Sequence, residues 1–553
     1  MCGILCLIQS KKQDSSKGEF NSSTKKLDLV EAQRCLAYLN DRGPDKSSYE
    51  LITHEDFEIF MGFTRLAIMD RSDSGQQPFH DDNGMIICNG EIYNYKELAA
   101  KHGIEMKTSC DCEILLPLCG KVGFNQMIAN ELNGEFATVF YDNEHIYAAR
   151  DRFGVRPLYY GYNDSTGLFG FASELKALHS IMEHVEQVPT NQIMKIDPVS
   201  LSVDLKQYYC FEKSHNFNLN KLKSLYDCDF EQIHTEIRRL LTEAVAKRLH
   251  SDRPIGFLLS GGLDSSLIVA IATKILGPEN MVCFTIGIEG SPDVEASKKV
   301  VEFLGIKQHH IIPFSVETGL RILPDVIRAI ETYDVTTIRA STPQYIMAEC
   351  IKDNTDIIVI LSGEGSDEEH GSYLYLGDAP NPKEFHDETI RLLRELCYFD
   401  NQRTDRTMAH FGLEVRVPFL DYDYVKFITE LDPRLLMHRP DYMEKMIVRD
   451  SFQGYLPDEI LYRRKEAFSD AVSNNEVNWA QSIQRVSNDL ITDEQFRENR
   501  FTINKPKTKD AYFFRVIFDH IYPGRCNVIP HYWLPRFQTE EVYDPSARVL
   551  KSY

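Results

Sequence analysis

The sequence predicts a doubly wound α/β parallel sheet in the carboxy-terminal half of a chain of two or three domains. With 553 residues, the chain is long enough for a hydrophobic core in each domain. Two apolar segments, Ile255–Leu259 and Ile357–Leu361, are typical of buried parallel strands, and a third strand is predicted at Met281–Ile288. The first two run into Ser-Gly turns, Ser260–Ser266 (SGGLDSS) and Ser362–Glu368 (SGEGSDE). Segments of helical spacing alternate with these strands, which favours a doubly wound sheet.

The first Ser-Gly turn is typical of a phosphate site. Gly261 and Gly262 allow a tight bend, and the amides that open the following helix, Leu267–Leu276, would point at a ligand. The lysine of a P-loop is missing, and Asp264 in its place suggests a magnesium ion beside the phosphates. Because parallel strands end at one edge of a sheet, both turns can face one crevice. The alternative is a plain turn in which Ser and Asp cap the helix.

Composition limits the classes of partner. The net charge of −22 argues against nucleic acid and anionic membranes as partners, and no run of about 18 apolar residues predicts a membrane span. The amino terminus lacks the pattern of a signal peptide. Thirteen cysteines at irregular spacings fit a reducing compartment better than a disulfide framework. We therefore expect a cytosolic protein.

The amino terminus carries a candidate nucleophile. If Met1 is removed, Cys2 holds a thiol and a free amine, and that amine, with a pKa near ~8, can accept the thiol proton. Asn89 and the Gly90 amide could form an oxyanion hole for attack on an amide carbonyl. The alternatives are a chance cysteine at position two and a hairpin turn at Asn89-Gly90.

Residues suited to binding a free amino acid follow along the chain. A guanidinium can bind the α-carboxylate, and carboxylates can bind the ammonium. Arg65, Glu91 and Asp111 lie on predicted turns between short apolar strands. Taken singly, Arg65 could be a surface arginine and Asp111 a loop cap.

In order and spacing, these residues resemble the class II (N-terminal nucleophile) glutamine amidotransferases. The matching segments are MCGI (1–4), DRGPD (41–45), TRLAI (64–68), NGEIYN (89–94), SCDCE (109–113), RDRFGVRPLY (150–159) and ASELKAL (172–178). The resemblance implies an αββα sandwich of antiparallel sheets. It implies that Cys2 attacks the glutamine side-chain amide and that Asn89 with Gly90 stabilises the oxyanion. It also implies that glutamine is bound by Arg65, Glu91 and Asp111.

The two Ser-Gly turns resemble the signature of ATP-pyrophosphatases, and as a pair they look like the synthetase domain of glutamine-hydrolysing asparagine synthetases. Further matching segments are IETYDVTTIRAS (330–341), DRT (405–407), EVRVPFLD (414–421), RRKEAFSD (463–470), PKTKDAY (506–512) and DPSAR (544–548). The resemblance therefore covers nearly the whole chain. It implies ATP-dependent conversion of aspartate to asparagine through β-aspartyl-AMP.

The resemblance also assigns roles in the second half. Glu331 is the candidate base for ammonia, Lys465 the cation on the α-phosphate, and Asp264 with Asp367 the magnesium ligands. Aspartate would be bound by Asp334 and Gly365. Contacts to ATP and pyrophosphate are expected at Leu259, Ser260, Gly261, Gly262, Asp264, Ser265, Ser266, Ile286, Gly287, Ser362 and Gly363. The alternatives are a helix end with capping charges at Glu331 and Asp334 and a solvated surface lysine at Lys465.

Several residues depart from the family pattern. Phe63 stands where relatives usually have His, so the surroundings of Arg65 are expected to differ. Glu369-His370-Gly371-Ser372 replaces the apolar and Gly-Gly residues that often follow SGEGSDE, and Ala471 replaces a common Gly. These changes are expected to affect rate or loop geometry more than the type of reaction.

We therefore predict an amidotransferase domain at residues 2–202, a linker at 203–230, an ATP-pyrophosphatase synthetase domain at 231–540 and a tail at 541–553. The expected cofactor is Mg²⁺ with ATP as substrate. The other expected ligands are L-aspartate and L-glutamine or ammonia. No nucleic-acid or membrane partner is expected, and the sequence leaves open whether the protein is a homodimer. One alternative function is that of a synthetase that adenylates another carboxylate, such as a β-lactam-forming enzyme. The presence of Cys2 argues against this alternative. The other is a non-catalytic protein with this fold.

Overall fold

The chain forms two compact units in a computed structural model. The structure describes residues 1–11, 26–214, 228–439, 442–464, 472–473, 477–538 and 542–545. The first unit is Met1–Cys210 with Ala409–Gly412, and the second is Phe211–Met408 with Leu413–Tyr553. No helix among the described residues is long and apolar enough to cross a membrane.

The first unit contains two six-stranded antiparallel sheets, with orders β10-β8-β9-β1-β3-β2 and β12-β11-β7-β6-β5-β4. Its strands are β1 (Gly3–Ser10), β2 (Lys46–Thr53), β3 (Phe57–Arg65), β4 (Phe79–Asp81), β5 (Gly84–Ile92), β6 (Gly134–Tyr141), β7 (Ile146–Arg150), β8 (Tyr159–Asn163), β9 (Leu168–Ala172), β10 (His184–Gln187), β11 (Gln192–Ile196) and β12 (Val203–Gln207). Its helices are α1 (Leu29–Ala37), α2 (Tyr95–His102), α3 (Leu115–Val122) and α4 (Phe124–Gln126).

The side chains of β5 point alternately to the two faces of its sheet, and these faces pack in a sandwich of four layers. Ile87 lies in the apolar core between the sheets together with Ile4 and Ile8 of β1. Ile86 and Cys88 face the other way and pack with the helical layer that contains α3. Because successive side chains of a strand point to opposite faces, residue 89 shares the face of Ile87. Helix α1 buries its apolar side on β1 and β3, which completes the predicted αββα order.

The second unit contains a five-stranded parallel sheet with order β15-β14-β13-β16-β17. The strands are β13 (Ile255–Leu258), β14 (Val282–Gly287), β15 (Gln308–Pro313), β16 (Val359–Leu361) and β17 (Glu414–Arg416). The helices are α5 (Phe211–Ser214), α6 (Phe230–Arg248), α7 (Leu263–Leu276), α8 (Pro292–Leu304), α9 (Val316–Ile330), α10 (Val335–Asn354), α11 (Ser366–His370), α12 (Pro382–Glu395), α13 (Asp400–Ala409), α14 (Tyr422–Glu430), α15 (Met446–Ser451), α16 (Asp458–Leu461), α17 (Trp479–Leu490), α18 (Asp493–Arg497) and α19 (Lys509–Ile521).

Strand order in this sheet reverses between β13 and β16. The chain adds β14 and β15 on one side of β13, and β16 and β17 on the other. A reversal of this kind opens a crevice at the carboxyl ends of the two central strands, where doubly wound proteins bind ligands. Those two strands are the ones that the sequence predicts to end in Ser-Gly turns, so the predicted α/β class is confirmed.

The predicted linker differs from the structure at its start. Val203–Gln207 forms strand β12 and pairs antiparallel with β11, so these residues belong to the second sheet of the first unit. All five side chains of β12 are exposed at the edge of that sheet, which explains why its polar composition favoured a loop. Residues 215–227 of the predicted linker lie outside the described residues.

Candidate functional site

The start of the chain and the middle of β5 meet in the first unit. The Cys2 amide nitrogen donates to Asn89 Oδ1 at 2.8 Å, and the Asn89 side chain is fully buried. Within the described part of the chain, Asn89 Nδ2 is buried without a hydrogen-bond partner. Such a donor normally costs free energy, which is acceptable where a ligand oxygen takes the bond. Asn89 and Gly90 lie inside a strand, so the alternative of a hairpin turn is wrong.

The Cys2 thiol lies against the segment that follows β3. Its Sγ is 3.5 Å from the Leu66 amide nitrogen and 3.7 Å from the Leu66 carbonyl oxygen. The Arg42 guanidinium also donates to the Cys2 carbonyl oxygen at 2.9 Å. The first residues of the chain are thus fixed from two sides. One residue of each of the segments DRGPD and TRLAI, Arg42 and Leu66, therefore contacts Cys2.

Arg65 is buried rather than a surface arginine, with 5% of its area exposed. Its terminal nitrogens donate to the main-chain oxygens of Met69 at 3.3 Å, Ser72 at 2.5 Å and Asp70. A Cβ atom at Gly75 would lie 2.3 Å from Arg65 Nη2. The path of the main chain through residues 69–75 therefore fixes the guanidinium.

The remaining glutamine-site candidates lie at the end of β5 and on the turn beside it. Asp111 is buried, opens a short 3-10 turn and accepts a hydrogen bond from the Ile92 amide at 2.6 Å. The Cys112 thiol donates to the Gly90 carbonyl at 3.4 Å. Glu91, on β5 between Gly90 and Ile92, is also buried. The structure therefore brings the predicted set around the carboxyl half of β5.

Phe63 does not disturb this arrangement. It is 1% exposed and packs in the core between the sheets, opposite Ile4 of β1. A phenyl ring is suited to this apolar place, whereas a histidine there would need a hydrogen-bond partner. The hydrogen bonds of Arg65 go to main-chain oxygens, so they do not depend on residue 63.

A cavity of about 290 Å³ lies at the carboxyl ends of β13 and β16 in the second unit. The two Ser-Gly turns are in close contact there, since a Cβ atom at Gly363 would lie 2.8 Å from the Ser265 amide nitrogen. The predicted residues that line the cavity are Leu259, Ser260, Gly262, Asp264, Ser265, Ile286, Ser362, Gly363, Gly365 and Asp367.

The helix that follows the first turn has no side-chain cap. Gly262 is the N-cap residue of α7, and no side chain in the described part of the chain accepts a hydrogen bond from the first amides. The Ser260 and Ser265 hydroxyls bond to each other at 3.0 Å. The capping alternative is therefore wrong for this turn, and the amide dipoles at the start of α7 suit an anionic group.

Three predicted phosphate contacts do not line the cavity. A Cβ atom at Gly261 would lie 2.5 Å from that of Ala296 on α8, and one at Gly287 would lie 2.5 Å from Ser291 Oγ. Ser266 is fully buried in α7. Gly261 thus packs the turn against α8, and Gly287 packs the end of β14 against the segment that begins α8, so neither position has room for a side chain.

The two predicted magnesium ligands converge on one cation, the ammonium of Lys445. Its Nζ lies 2.7 Å from both carboxylate oxygens of Asp264 and 2.6 Å from Asp367 Oδ1. Among the described residues, no group of three or more His, Cys, Asp or Glu side chains could hold a metal. Two convergent carboxylates suit Mg²⁺, which commonly takes its other ligands from phosphates and water.

Glu331 and Asp334 are both held by neighbouring residues. Glu331 is fully buried, with Oε2 at 3.3 Å from Arg406 Nε, and it is not among the residues that line the cavity. Asp334 is the N-cap of α10 and accepts from the Thr337 amide at 2.9 Å and the Thr336 hydroxyl at 2.8 Å. The capping alternative thus describes Asp334, although Thr336 does line the cavity. An N-cap position and a ligand position favour the same residue type, so sequence could not separate them.

Glu364, inside the second turn, is a buried carboxylate for which the sequence predicts no role. Arg403 on α13 donates to its two oxygens at 3.0 and 2.6 Å, and both residues line the cavity. Burial raises the pKa of Glu364 above its ordinary value, while Arg403 opposes that shift. Asp400, one turn before Arg403, accepts a further bond at 2.9 Å. The spacing of Asp400 and Arg403 on a helix was the available sequence signal.

Glu368 is a second buried acid at the cavity. It accepts a hydrogen bond from the Tyr373 hydroxyl, and burial raises its pKa to about 8. Both side chains line the cavity.

The departing residues Glu369, His370 and Ser372 follow Asp367 closely in the chain and are buried. Ser372 Oγ donates to Asp367 Oδ1 at 2.6 Å. His370 is fully buried, lies 3.1 Å from the Tyr424 hydroxyl, and burial lowers its pKa to about 4. Glu369 is also fully buried. Ser372 therefore adds a hydrogen bond to a predicted metal ligand.

Lys465 and Ala471 lie outside the described residues. Arg463 and Arg464, which directly precede Lys465 in the chain, both line the cavity. Lys445 could not be predicted from the sequence, because its segment carries no motif and its partners Asp264 and Asp367 are far away in the chain.

Family models match both halves of the chain. The glutamine amidotransferase domain model matches residues 1–224. The asparagine synthase model matches residues 236–381 and 377–540. The chain therefore combines a glutamine amidotransferase domain with a synthetase domain.

Curated relatives match the chain over its length. A probable asparagine synthetase (glutamine-hydrolyzing) of Acanthamoeba polyphaga mimivirus is 59% identical, with 100% of each chain covered. The asparagine synthetase (glutamine-hydrolyzing) of Gallus gallus is 38% identical and that of Homo sapiens 37%, each covering 94% of this chain and 96% of the relative. The chain belongs to the family of glutamine-hydrolysing asparagine synthetases.

Proposed function

We propose that this protein makes L-asparagine from L-aspartate and ATP, with nitrogen taken from the side-chain amide of L-glutamine. The products besides asparagine are glutamate, AMP and pyrophosphate. The observation that carries the proposal is the presence of two sites in one chain. One site has the buried amide donor of Asn89, unpaired among the described residues, beside Cys2, and the other is a crevice suited to phosphates with two carboxylates around one cation.

The first reaction takes place at Cys2 once Met1 has been removed. The freed α-amine accepts the thiol proton, and Sγ attacks the glutamine amide carbon. The negative charge that develops on the carbonyl oxygen is stabilised by Asn89 Nδ2 and the Gly90 amide. Arg65, Glu91 and Asp111 bind the amino-acid end of glutamine. Ammonia leaves, and water hydrolyses the thioester to glutamate.

The second reaction takes place in the crevice of the parallel sheet. Asp264 and Asp367 would hold Mg²⁺, which neutralises phosphate charge when bound. The uncapped amides of α7 and the hydroxyls of Ser260 and Ser265 contact the pyrophosphate end of ATP. Ile286 borders the adenine. The aspartate β-carboxylate displaces pyrophosphate from the α-phosphate and forms β-aspartyl-AMP, and Lys465 stabilises the charge of that step.

Ammonia then attacks the acyl carbon of β-aspartyl-AMP and releases AMP. We assign proton removal from the attacking ammonia to Glu364 in place of Glu331, because Glu364 lines the cavity and Glu331 does not. Burial raises the pKa of Glu364 toward the range of an effective base. Arg403 fixes the carboxylate through two hydrogen bonds. Asp334 acts indirectly, by orienting Thr336 at the cavity.

The remaining partners follow from charge and thiol chemistry. All thirteen cysteines are free thiols, which suits a reducing compartment such as the cytosol. The net charge of −22 favours small-molecule ligands over nucleic acid or anionic membranes.

The test is product analysis with ATP, Mg²⁺ and aspartate, supplying either glutamine or ammonium, for the wild type and Cys2→Ala. We expect the wild type to form asparagine, AMP and pyrophosphate from both nitrogen sources, and Cys2→Ala from ammonium alone. Glutamine-dependent synthesis by Cys2→Ala would contradict the assignment of the nucleophile. No pyrophosphate release with aspartate would contradict the assigned substrate.

A further inference from the structure

Lys445 lies at the position where the proposed function needs a divalent cation. Its ammonium contacts Asp264 and Asp367 at 2.6 to 2.7 Å, and only 2% of its side chain is exposed. It also has a left-handed backbone conformation, with φ of +57°, directly before α15. A non-glycine residue adopts this conformation rarely, so surrounding contacts must hold it there.

Two hydroxyl groups orient the carboxylates independently of Lys445. Ser366 Oγ donates to Asp264 Oδ1 at 2.8 Å, and Ser372 Oγ donates to Asp367 Oδ1 at 2.6 Å. Both carboxylates are largely buried, with 18% and 20% of their side chains exposed. Two carboxylates this close repel each other unless a cation lies between them. The geometry therefore defines a cation site with one present occupant, the Lys445 ammonium.

We propose that Lys445 is the built-in counter-ion of the Asp264–Asp367 pair, and that a divalent cation arriving with a nucleotide displaces its ammonium onto the phosphates. This inference rests on the proposed function, since that function supplies the nucleotide and the metal. With Lys445 between them, the two carboxylates keep a net charge of −1. A divalent cation in its place neutralises both carboxylates and leaves one positive charge free for the phosphates.

The exchange makes metal and nucleotide binding cooperative. A divalent cation without nucleotide must displace the ammonium into a cavity that offers it no phosphate. When the nucleotide is present, its phosphates accept the displaced ammonium, so each ligand strengthens the binding of the other. Mg²⁺ alone should therefore bind weakly to the wild type and strongly to a variant without the lysine.

The experiment measures the melting temperature of the full chain in EDTA, across a Mg²⁺ titration and with Mg²⁺ plus ATP. The variants are Lys445→Met and the double variant Asp264→Asn with Lys445→Met. Lys298→Met is the control, because Lys298 forms an exposed pair with Glu295 on α8. We expect Lys445→Met to melt below the wild type in EDTA and to recover with Mg²⁺. Its half-saturating Mg²⁺ concentration should be at least about tenfold lower than that of the wild type.

The other outcomes of this experiment contradict either the counter-ion role of Lys445 or the proposed function. The inference is overturned if Lys445→Met melts like the wild type in EDTA or responds to Mg²⁺ as the wild type does. If Lys445→Met does not fold, the double variant tests the counter-ion role in its place. Removing one charge of each sign should restore stability in EDTA without a Mg²⁺ response. Continued instability of the double variant would contradict the counter-ion role. If Mg²⁺ plus ATP does not raise the melting temperature of the wild type, the proposed function itself fails.

Discussion

The two candidate sites hold their polar groups in different ways. In the first unit, main-chain groups form the hydrogen bonds that hold the site: Arg65 donates to three carbonyl oxygens, and Asp111 accepts from the Ile92 amide. In the second unit, side-chain charges hold one another, as in Lys445 with Asp264 and Arg403 with Glu364. A site fixed by the main chain depends on the local path of the chain. A site fixed by paired charges depends on charge balance, and so on pH, metal and single substitutions.

The largest effect is expected from Glu364→Gln, which removes a charge from the second site. Asparagine formation from either nitrogen source should fall by about 10²- to 10⁴-fold, the usual contribution of a general base. Glutamine hydrolysis, measured as glutamate release, should continue. Glu331→Gln is the matched variant, because Glu331 is also buried and paired with an arginine but does not line the cavity. If Glu331→Gln loses synthesis and Glu364→Gln keeps it, the base predicted from sequence is right.

Asn89→Ala tests the first site. Removing the oxyanion donor should lower kcat for glutamine hydrolysis by about 10²- to 10³-fold. Synthesis from ammonium should stay near the wild-type rate. Asn83→Ala is the control, because Asn83 lies exposed on the turn between β4 and β5. A similar loss of ammonium-dependent synthesis in Asn89→Ala would show that the two sites are not separable in this way.

Ser372→Ala removes a hydroxyl that orients a predicted metal ligand. The Mg²⁺ concentration needed for half-maximal pyrophosphate release should rise by about tenfold, as is usual when a hydrogen bond to a metal ligand is lost. The rate at saturating Mg²⁺ should change little, and glutamine hydrolysis is the internal control. An unchanged Mg²⁺ requirement would mean that Asp367 is oriented without Ser372.

The smallest effect concerns the pH dependence of stability near the second site. Burial lowers the pKa of His370 from 6.5 to about 4, so between these values the folded state binds fewer protons than the unfolded state. His370 therefore contributes fully to stability above pH 6.5, and that contribution is lost as the pH falls toward 4. Melting curves of His370→Phe should show a flatter profile over this window, and an unchanged profile would contradict the account.

The sequence predicted the first site more completely than the second for a physical reason. Cys2, Arg65, Asn89 and Asp111 each sit on a short segment whose order along the chain defines the site. The main chain then positions them, as when β5 turns Asn89 toward the start of the chain. The sheet class was predictable in the same way, because strand ends with Ser-Gly turns recur in the second half.

Long-range charge pairs were the part that could not be predicted. Lys445 lies 181 residues from Asp264, and nothing around it in sequence distinguishes it from a solvated lysine. The sequence Asp334-Val-Thr-Thr suits a helix cap and a substrate ligand equally well. The prediction for edge strand β12 failed for another reason. Its exposed side chains resemble those of a loop, while its pairing with β11 is a property of the main chain.

The most direct test of the central claim follows the nitrogen atom. Wild type and Cys2→Ala would be given glutamine labelled with ¹⁵N in its side-chain amide, together with unlabelled ammonium, ATP, Mg²⁺ and aspartate. The ¹⁵N content of the asparagine formed would then be measured by mass spectrometry. The account predicts labelled asparagine from the wild type and only unlabelled asparagine from Cys2→Ala. Labelled asparagine from Cys2→Ala, or only unlabelled asparagine from the wild type, would contradict it.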